Sequence, residues 1–361
     1  METQRLAELQ ALESLRPAHG FPDDTCFDTL SLAGWILLPD HKLSWVAAYL
    51  DGVPVGSAAV AQPRPDVAKI YHRSPHADKC GFTRTFAEEV TQGLIRIDRA
   101  LRLTLVGFDG DRPLARLRTV IFPDQVAPPV PIPPPALVEE IQGDEDPVNY
   151  KTLGYRFYCQ ILDLITRWRD PRSLRTILDW GCGSGRLAAH FLATPGGPKV
   201  FGCDINARAI AWCLANLPGA EFRVVASTPP LPYQDGVFDL VLAVGVVGWC
   251  GPDDFTRVLP DLRRLLTPQG LLLISVQGAF AASVRFPPDA LARLARDGYL
   301  DGYGYDDLHP PPPEEVLYRG GYYLTSDYVA RTWTPLGFRV LEYLEGELNS
   351  DQDLILLQRT E

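Results

Sequence analysis

The chain has 361 residues, 46% hydrophobic and 22% charged, with a formal net charge of −11. That balance belongs to a globular protein long enough for two cores, and it excludes a disordered or fibrous chain. The negative charge opposes a phosphate backbone, so nucleic acid is not the expected partner.

Met1-Glu2-Thr3-Gln4-Arg5 opens a charged helical pattern without the apolar core of a signal peptide, and no apolar run has the length of a membrane span. A soluble, cytoplasmic protein is expected. Leu6, Leu9, Leu12 and Leu15 recur every third residue, giving an apolar stripe on an N-terminal helix within residues 1–20 that stops at Pro17. The stripe suits packing on its own chain better than a dimer contact, and the oligomeric state stays open.

Residues 21–124 have β texture. Gly34–Leu38 and Leu43–Leu50 read as strands, and Asp51-Gly52 supplies a tight turn into Val53-Pro54-Val55-Gly56. Leu101–Phe108, the turn Asp109-Gly110-Asp111 and Leu114–Phe122 suggest a second hairpin. Short strands with turns between them point to an antiparallel β-sandwich accessory domain. Residues 125–145 carry Pro128, Pro129, Pro131, Pro133, Pro134 and Pro135, a run that favours a stiff polyproline II linker. The cysteines, Cys26, Cys80, Cys159, Cys182, Cys203, Cys213 and Cys250, form no Cys-x-x-Cys pair, so free buried thiols and no metal site are expected.

In residues 146–361 the pattern alternates strand and helix. Thr176–Trp180, Lys199–Asp204, Glu221–Ala226, Phe238–Val246 and Leu271–Gln277 read as strands, with helices near Arg186–Thr194, Ala207–Asn216 and Asp253–Leu266. This implies an α/β fold with a doubly wound parallel sheet, whose ligands sit beyond the carboxyl ends of the strands. The first strand ends at Asp179, and Gly181, Gly183 and Gly185 follow before a helix. Glycine admits close backbone approach, and a helix start offers free N–H groups. The second strand ends at Asp204, where a carboxylate can accept both hydroxyls of a ribose. A dinucleotide fingerprint would need a third glycine at position 186, where Arg186 stands, and Asp179 would repel a pyrophosphate. The α-ammonium of S-adenosyl-L-methionine suits that acid instead. A nicotinamide-dependent oxidoreductase remains the alternative of another enzyme class, and a non-catalytic binding module a third.

Ile177-Leu178-Asp179-Trp180-Gly181-Cys182-Gly183-Ser184-Gly185-Arg186 resembles the first motif of class I S-adenosylmethionine-dependent methyltransferases. Pro230–Val241 resembles that family's approach to its fourth strand, and Leu265-Leu266-Thr267-Pro268-Gln269-Gly270 its turn before the fifth. The resemblance covers roughly residues 148–361 and implies a Rossmann-like seven-stranded methyltransferase sheet, with Phe338–Glu342 and Asp353–Arg359 as closing strands. It places Asp179, Trp180 and the backbone of Gly181, Cys182, Gly183 and Gly185 around the methionine moiety. Asp204 falls on the ribose, Ile205 beside the adenine, and Val244 and Gly245 near the sulfonium. Ala226-Ser227-Thr228 replaces the acid that many members use to read the adenine amino group, so a backbone group or hydroxyl is expected there.

The reaction implied is in-line methyl transfer, for which a base is needed when the acceptor is a hydroxyl or a protonated amine. Candidates are His309, Asp235, Asp306 and Tyr322. The tyrosines Tyr299, Tyr303, Tyr305, Tyr318, Tyr322 and Tyr323 would suit a sugar or aromatic acceptor. In the first domain, Gly34-Trp35, Asp51-Gly52, Arg64-Pro65-Asp66-Val67-Ala68 and Gly81-Phe82 resemble a β-sandwich module of bacterial glycosyltransferases and methyltransferases of cell-surface polysaccharide assembly. That resemblance implies a sugar hydroxyl on a glycan or its precursor as acceptor, with a small secondary metabolite as its main competitor and a protein side chain third.

Overall fold

The computed structural model describes residue 12, residues 14–302 and residues 321–360. Leu6 and Leu9 of the leucine stripe, and Tyr303, Tyr305, Asp306, His309 and Tyr318, lie outside the described residues. Two compact units divide the chain: Met1–Ala127 with Ser283–Phe286 and Glu345–Gln352, and Pro128–Ala282 with Pro287–Leu344 and Asp353–Glu361.

In the first unit the strands are β1 (Arg16–Pro17), β2 (His19–Cys26), β3 (Ser31–Leu37), β4 (Trp45–Leu50), β5 (Val53–Ala59), β6 (Gly81–Thr85), β7 (Leu101–Asp109) and β8 (Arg112–Ile121). They form a five-stranded sheet of order β1-β8-β7-β4-β5 and a three-stranded sheet β2-β3-β6. Both sheets contribute to one apolar core, through Leu32, Ile36 and Phe82 on one side and Val46, Leu103, Leu105 and Leu117 on the other. The hairpin β4–β5 closes at Asp51 and Gly52, whose φ angles of 48° and 75° match the twist of the flanking strands. Leu50 accordingly pairs with Val53.

In the second unit β9 (Thr176–Trp180), β10 (Lys199–Asp204), β11 (Glu221–Val224), β12 (Phe238–Ala243), β13 (Leu266–Gly278), β14 (Tyr299–Asp301), β15 (Tyr322–Leu324), β16 (Phe338–Leu348) and β17 (Gln352–Arg359) build one sheet. Among the described residues it has nine strands, where seven were expected. A path of seven, β11-β10-β9-β12-β13-β17-β16, carries the two-strand addition β15-β14 beside β13. The addition exists because β13 runs on to Gly278, so that Gln277 and Gly278 pair with Tyr323 and Leu324. β9 to β13 are mutually parallel and β17 is antiparallel to β13. From β9 the chain proceeds to β10 and β11 on one side and then crosses to β12 on the other, which places the switch point beyond the carboxyl ends of β9 and β12.

The segment read as a polyproline linker holds a helix, Pro135–Gln142. Proline is tolerated at the first helical position because its missing N–H would have no helical partner there. Leu137 and Val138 are buried, and Gly143 closes the helix at φ 83°. Residues 122–134 and 143–146 on either side of it carry no helix or strand. Asp146 caps the following helix, Pro147–Thr166, by accepting the N–H of Val148. Among the described residues no helix is long and apolar enough to cross a membrane.

Candidate active site

The loop after β9 turns on glycines at positive φ. Gly181 has φ 76°, and a Cβ there would meet Cγ2 of Val246 at 2.3 Å, so both backbone and space demand glycine. Asp179, at the foot of the loop, is 3% exposed. Burial raises its carboxyl to about 7, partly opposed by the N–H of Ala188, which donates to it. Its Oδ2 has no hydrogen-bond partner among the described residues. A buried carboxylate oxygen without a donor is costly. An orphaned acid beneath a glycine loop fits the α-ammonium of S-adenosylmethionine, taken directly or through a water.

Asp204, at the carboxyl end of β10, is fixed from two loops. Its Oδ2 accepts the N–H of Gly183 at 2.7 Å and its Oδ1 that of Asn206 at 2.8 Å. Each oxygen keeps lone-pair capacity, so the carboxylate is oriented before any ribose arrives. Asn206 in turn caps the helix Ala207–Asn216, its Oδ1 accepting from the N–H of Arg208 and Ala209. Ile205 is half-buried next to it. The carbonyl of Asp204 accepts from the N–H of Val225, which ties the end of β10 to the Ala226-Ser227-Thr228 stretch.

Two members of the loop contribute backbone alone. The Trp180 ring lies in the sheet core, 6.0 Å from that of Phe255. The Cys182 thiol is buried beside Cys213, and that neighbour and burial push its pKa up. Both side chains are thus taken up in internal packing, which leaves the backbone at these two positions to line the loop. The cause is strand alternation: Trp180 follows Asp179 and points to the opposite face. At the end of β12, Val244 is half-buried and Gly245 exposed, and the N–H of Gly245 donates to Ser275 Oγ at 2.8 Å.

The base candidates separate. Asp235 precedes β12, at the amino end of a six-residue strand that spans ~20 Å. It is exposed and paired with Arg264 at 2.6 Å, at the end of β12 opposite the glycine loop. Tyr322 opens β15 on the carboxyl side, where its hydroxyl lies 3.6 Å from the place a Cβ on Gly251 would take. His309 and Asp306 lie outside the described residues.

Sequence reasoning passed over Ser275, Asp353 and the packing around Arg186. Ser275, 1% exposed, steadies Gly245. Its signal is a lone polar residue inside the apolar run from Leu271 to Val276. Asp353 is fully buried across from Val276, accepts from the Tyr343 hydroxyl at 2.7 Å, and opens the apolar strand β17 in the same telling way. Arg186 packs its guanidinium 5.8 Å from the Tyr150 ring and 5.3 Å from that of Phe157, while the Tyr150 hydroxyl meets Ser184 Oγ at 2.8 Å. The loop is thereby braced by the helix Pro147–Thr166, which no local motif reveals. Among the described residues no group of three or more His, Cys, Asp or Glu could hold a metal ion.

Residues 178–274 match a family model described as a methyltransferase domain. The chain is 37% identical over 164 residues to a ubiquinone/menaquinone biosynthesis C-methyltransferase of Acidiphilium cryptum, covering 41% of this chain and 64% of the relative. It is 33% identical over 122 residues to a tRNA N(3)-methylcytidine methyltransferase of Drosophila melanogaster, covering 31% and 38% respectively. The matches thus span between about a third and two thirds of these relatives. A solved S-adenosylmethionine-dependent methyltransferase from Methanosarcina mazei aligns at 21% identity and a TM-score of 0.40, covering 55% of this chain and 97% of that one. The family match puts the glycine loop, Asp204 and Gly245 inside a methyltransferase domain, and S-adenosylmethionine is the cofactor it implies.

Proposed function

We propose that the chain is an S-adenosylmethionine-dependent methyltransferase whose acceptor is a hydroxyl of a sugar or glycan precursor. The observation that carries the reaction class is the pair of acids around the loop: Asp179 with an oxygen awaiting a donor, and Asp204 held from both sides with capacity left for a ribose. Arg186 weighs against a nicotinamide enzyme, because its packed side chain fills the position where a dinucleotide fingerprint needs glycine.

When bound, the cofactor supplies a methyl group already activated by its sulfonium. What remains for the protein is alignment, which can supply ~7–11 kcal/mol of such a barrier. Gly181 and Gly183 allow the tight turn of the loop at positive φ, Asp204 fixes the ribose, and Val244 and Gly245 border the methyl end. Tyr322 is the one base candidate among the described residues on the carboxyl side, and we assign it to the acceptor hydroxyl.

The acceptor reading draws support from the resemblance of the first unit to modules of polysaccharide assembly and from the exposed Tyr299 at the entry to β14. The net charge of −11 favours a neutral acceptor over a polyphosphate one. The relatives named above are a C-methyltransferase of ubiquinone/menaquinone biosynthesis and a tRNA N(3)-methylcytidine methyltransferase, so the acceptor has to be measured. The test is calorimetric titration with S-adenosylmethionine, followed by transfer of labelled methyl into sugar, quinone, metabolite and tRNA fractions. Asp204→Ala should weaken cofactor binding roughly a hundredfold, since two charge-assisted contacts of ~1.5 kcal/mol each are lost. Label entering only tRNA or quinone would overturn the acceptor reading, and an absence of binding would overturn the reaction class.

A further inference from the structure

We infer that the helix Pro135–Gln142 is a strap that sets cofactor affinity, with Glu140 as its positioning residue. The inference rests on the reading that Asp204 holds the ribose.

Two backbone N–H groups orient Asp204, one from Gly183 after β9 and one from Asn206 after β10. Consecutive residues of this one helix touch both donors. Asn206 Nδ2 donates to Glu140 Oε1 at 2.6 Å. Cδ1 of Ile141 stands 3.1 Å from where a Cβ on Gly183 would lie, so its end rests on that bare backbone. The amide of Asn206 is therefore held at both ends, with Oδ1 on its own helix start and Nδ2 on Glu140. Leu137 and Val138 anchor the strap from its buried side, at 6% and 1% exposure.

Glu140 itself is exposed and accepts its hydrogen bond from Asn206, so it acts through that residue. Releasing Asn206 would leave the loop after β10 to be ordered by the incoming ligand, and that ordering cost falls on affinity. An effect on binding shared by ground and transition states appears in KM while kcat at saturation stays unchanged.

The experiment compares Glu140→Ala and Glu140→Gln with wild type in the full chain. The readouts are the Kd of S-adenosylmethionine and of S-adenosylhomocysteine by calorimetry, kcat and KM for the cofactor, and the melting temperature. Glu140→Ala should raise both Kd values and KM about fivefold, with kcat and the melting temperature unchanged. Glu140→Gln, which still accepts the Asn206 bond, should stay within twofold of wild type. Three results overturn the strap: an unchanged Kd for Glu140→Ala, an equal loss for Glu140→Gln, which would assign the effect to charge, or a loss that tracks melting temperature. A wild-type chain that binds neither nucleoside would overturn the functional reading together with the strap. Wild-type binding with an indifferent Glu140→Ala would overturn the strap alone.

Discussion

Gly183 and Asp204 are joined across 21 residues by a 2.7 Å bond from a backbone N–H to a carboxylate oxygen. It couples the loop after β9 to the end of β10, so the glycine turn and the Asp204 carboxylate are held as one unit. Gly183 serves this at φ 51°, in the left-handed region where a side chain is strained and where Ile141 already occupies the adjoining space.

Asp179 makes cofactor binding depend on pH. Burial lifts its carboxyl to about 7, so below neutrality the acid is protonated and cannot pair with a cationic ammonium. Affinity for S-adenosylmethionine should rise with pH towards about 7 and level off above it. Below that, it should fall up to about tenfold per pH unit, as expected when one proton competes. Calorimetric titration between pH 5.5 and 8.5 checks this, and Asp179→Asn should bind more weakly with a flat profile. A wild-type profile as flat as the variant's would remove Asp179 from the site.

His190 affects stability with the opposite sign. It is fully buried between the rings of Tyr155 and Tyr158, at 5.5 and 6.0 Å, and burial lowers its pKa to about 4. Between about 4 and 6.5 the unfolded chain binds a proton there that the folded chain does not, so this group lowers stability as pH falls through that window. Asp179, raised instead, works the other way between 3.8 and about 7. The two largely cancel. In His190→Phe the relative stability against wild type should therefore climb by up to ~1.4 kcal/mol per pH unit on acidification from 6.5 towards 4, measured by urea denaturation. A difference that does not change with pH would contradict the buried, neutral histidine.

Gly278 has no room for a side chain. A Cβ there would fall 1.8 Å from Oδ2 of Asp353, the oxygen that accepts from the Tyr343 hydroxyl. Gly278→Ala should displace a fully buried carboxylate and cost ~2–3 kcal/mol through overpacking and a broken buried bond. Thermal denaturation checks it, and an unshifted midpoint would show that Asp353 is free to move.

Asp235→Ala should leave turnover within about twofold of wild type and stability within ~1 kcal/mol, the usual range for an exposed ion pair. Arg264 retains Asp261 and the carbonyls of Leu231 and Tyr233. Steady-state kinetics decide it, and a collapse of kcat would return Asp235 to the candidate bases.

Much of the second unit was legible because its signals are local. Thr176–Trp180, Lys199–Asp204 and Ala207–Asn216 announce themselves by apolar patterns and strand-end acids, and they occupy those same spans in the fold. The hairpin at Asp51-Gly52 was equally plain, since only a few residues adopt its turn. Two things were not legible. The strand alternation that turns Trp180 into the core is masked in a buried parallel sheet, where both faces are apolar. The helix Pro135–Gln142 hides behind prolines that end a polyproline run and at the same time open a helix. Tertiary contacts such as Glu140 with Asn206 leave no mark in the local pattern.

A co-crystal structure with S-adenosylhomocysteine tests the central claim most directly. The account requires both ribose hydroxyls within hydrogen-bond distance of the Asp204 carboxylate, with the amino group of the ligand on the Asp179 side of the glycine loop. A nucleoside lodged elsewhere, or bound with Asp204 free of the ribose, would contradict it.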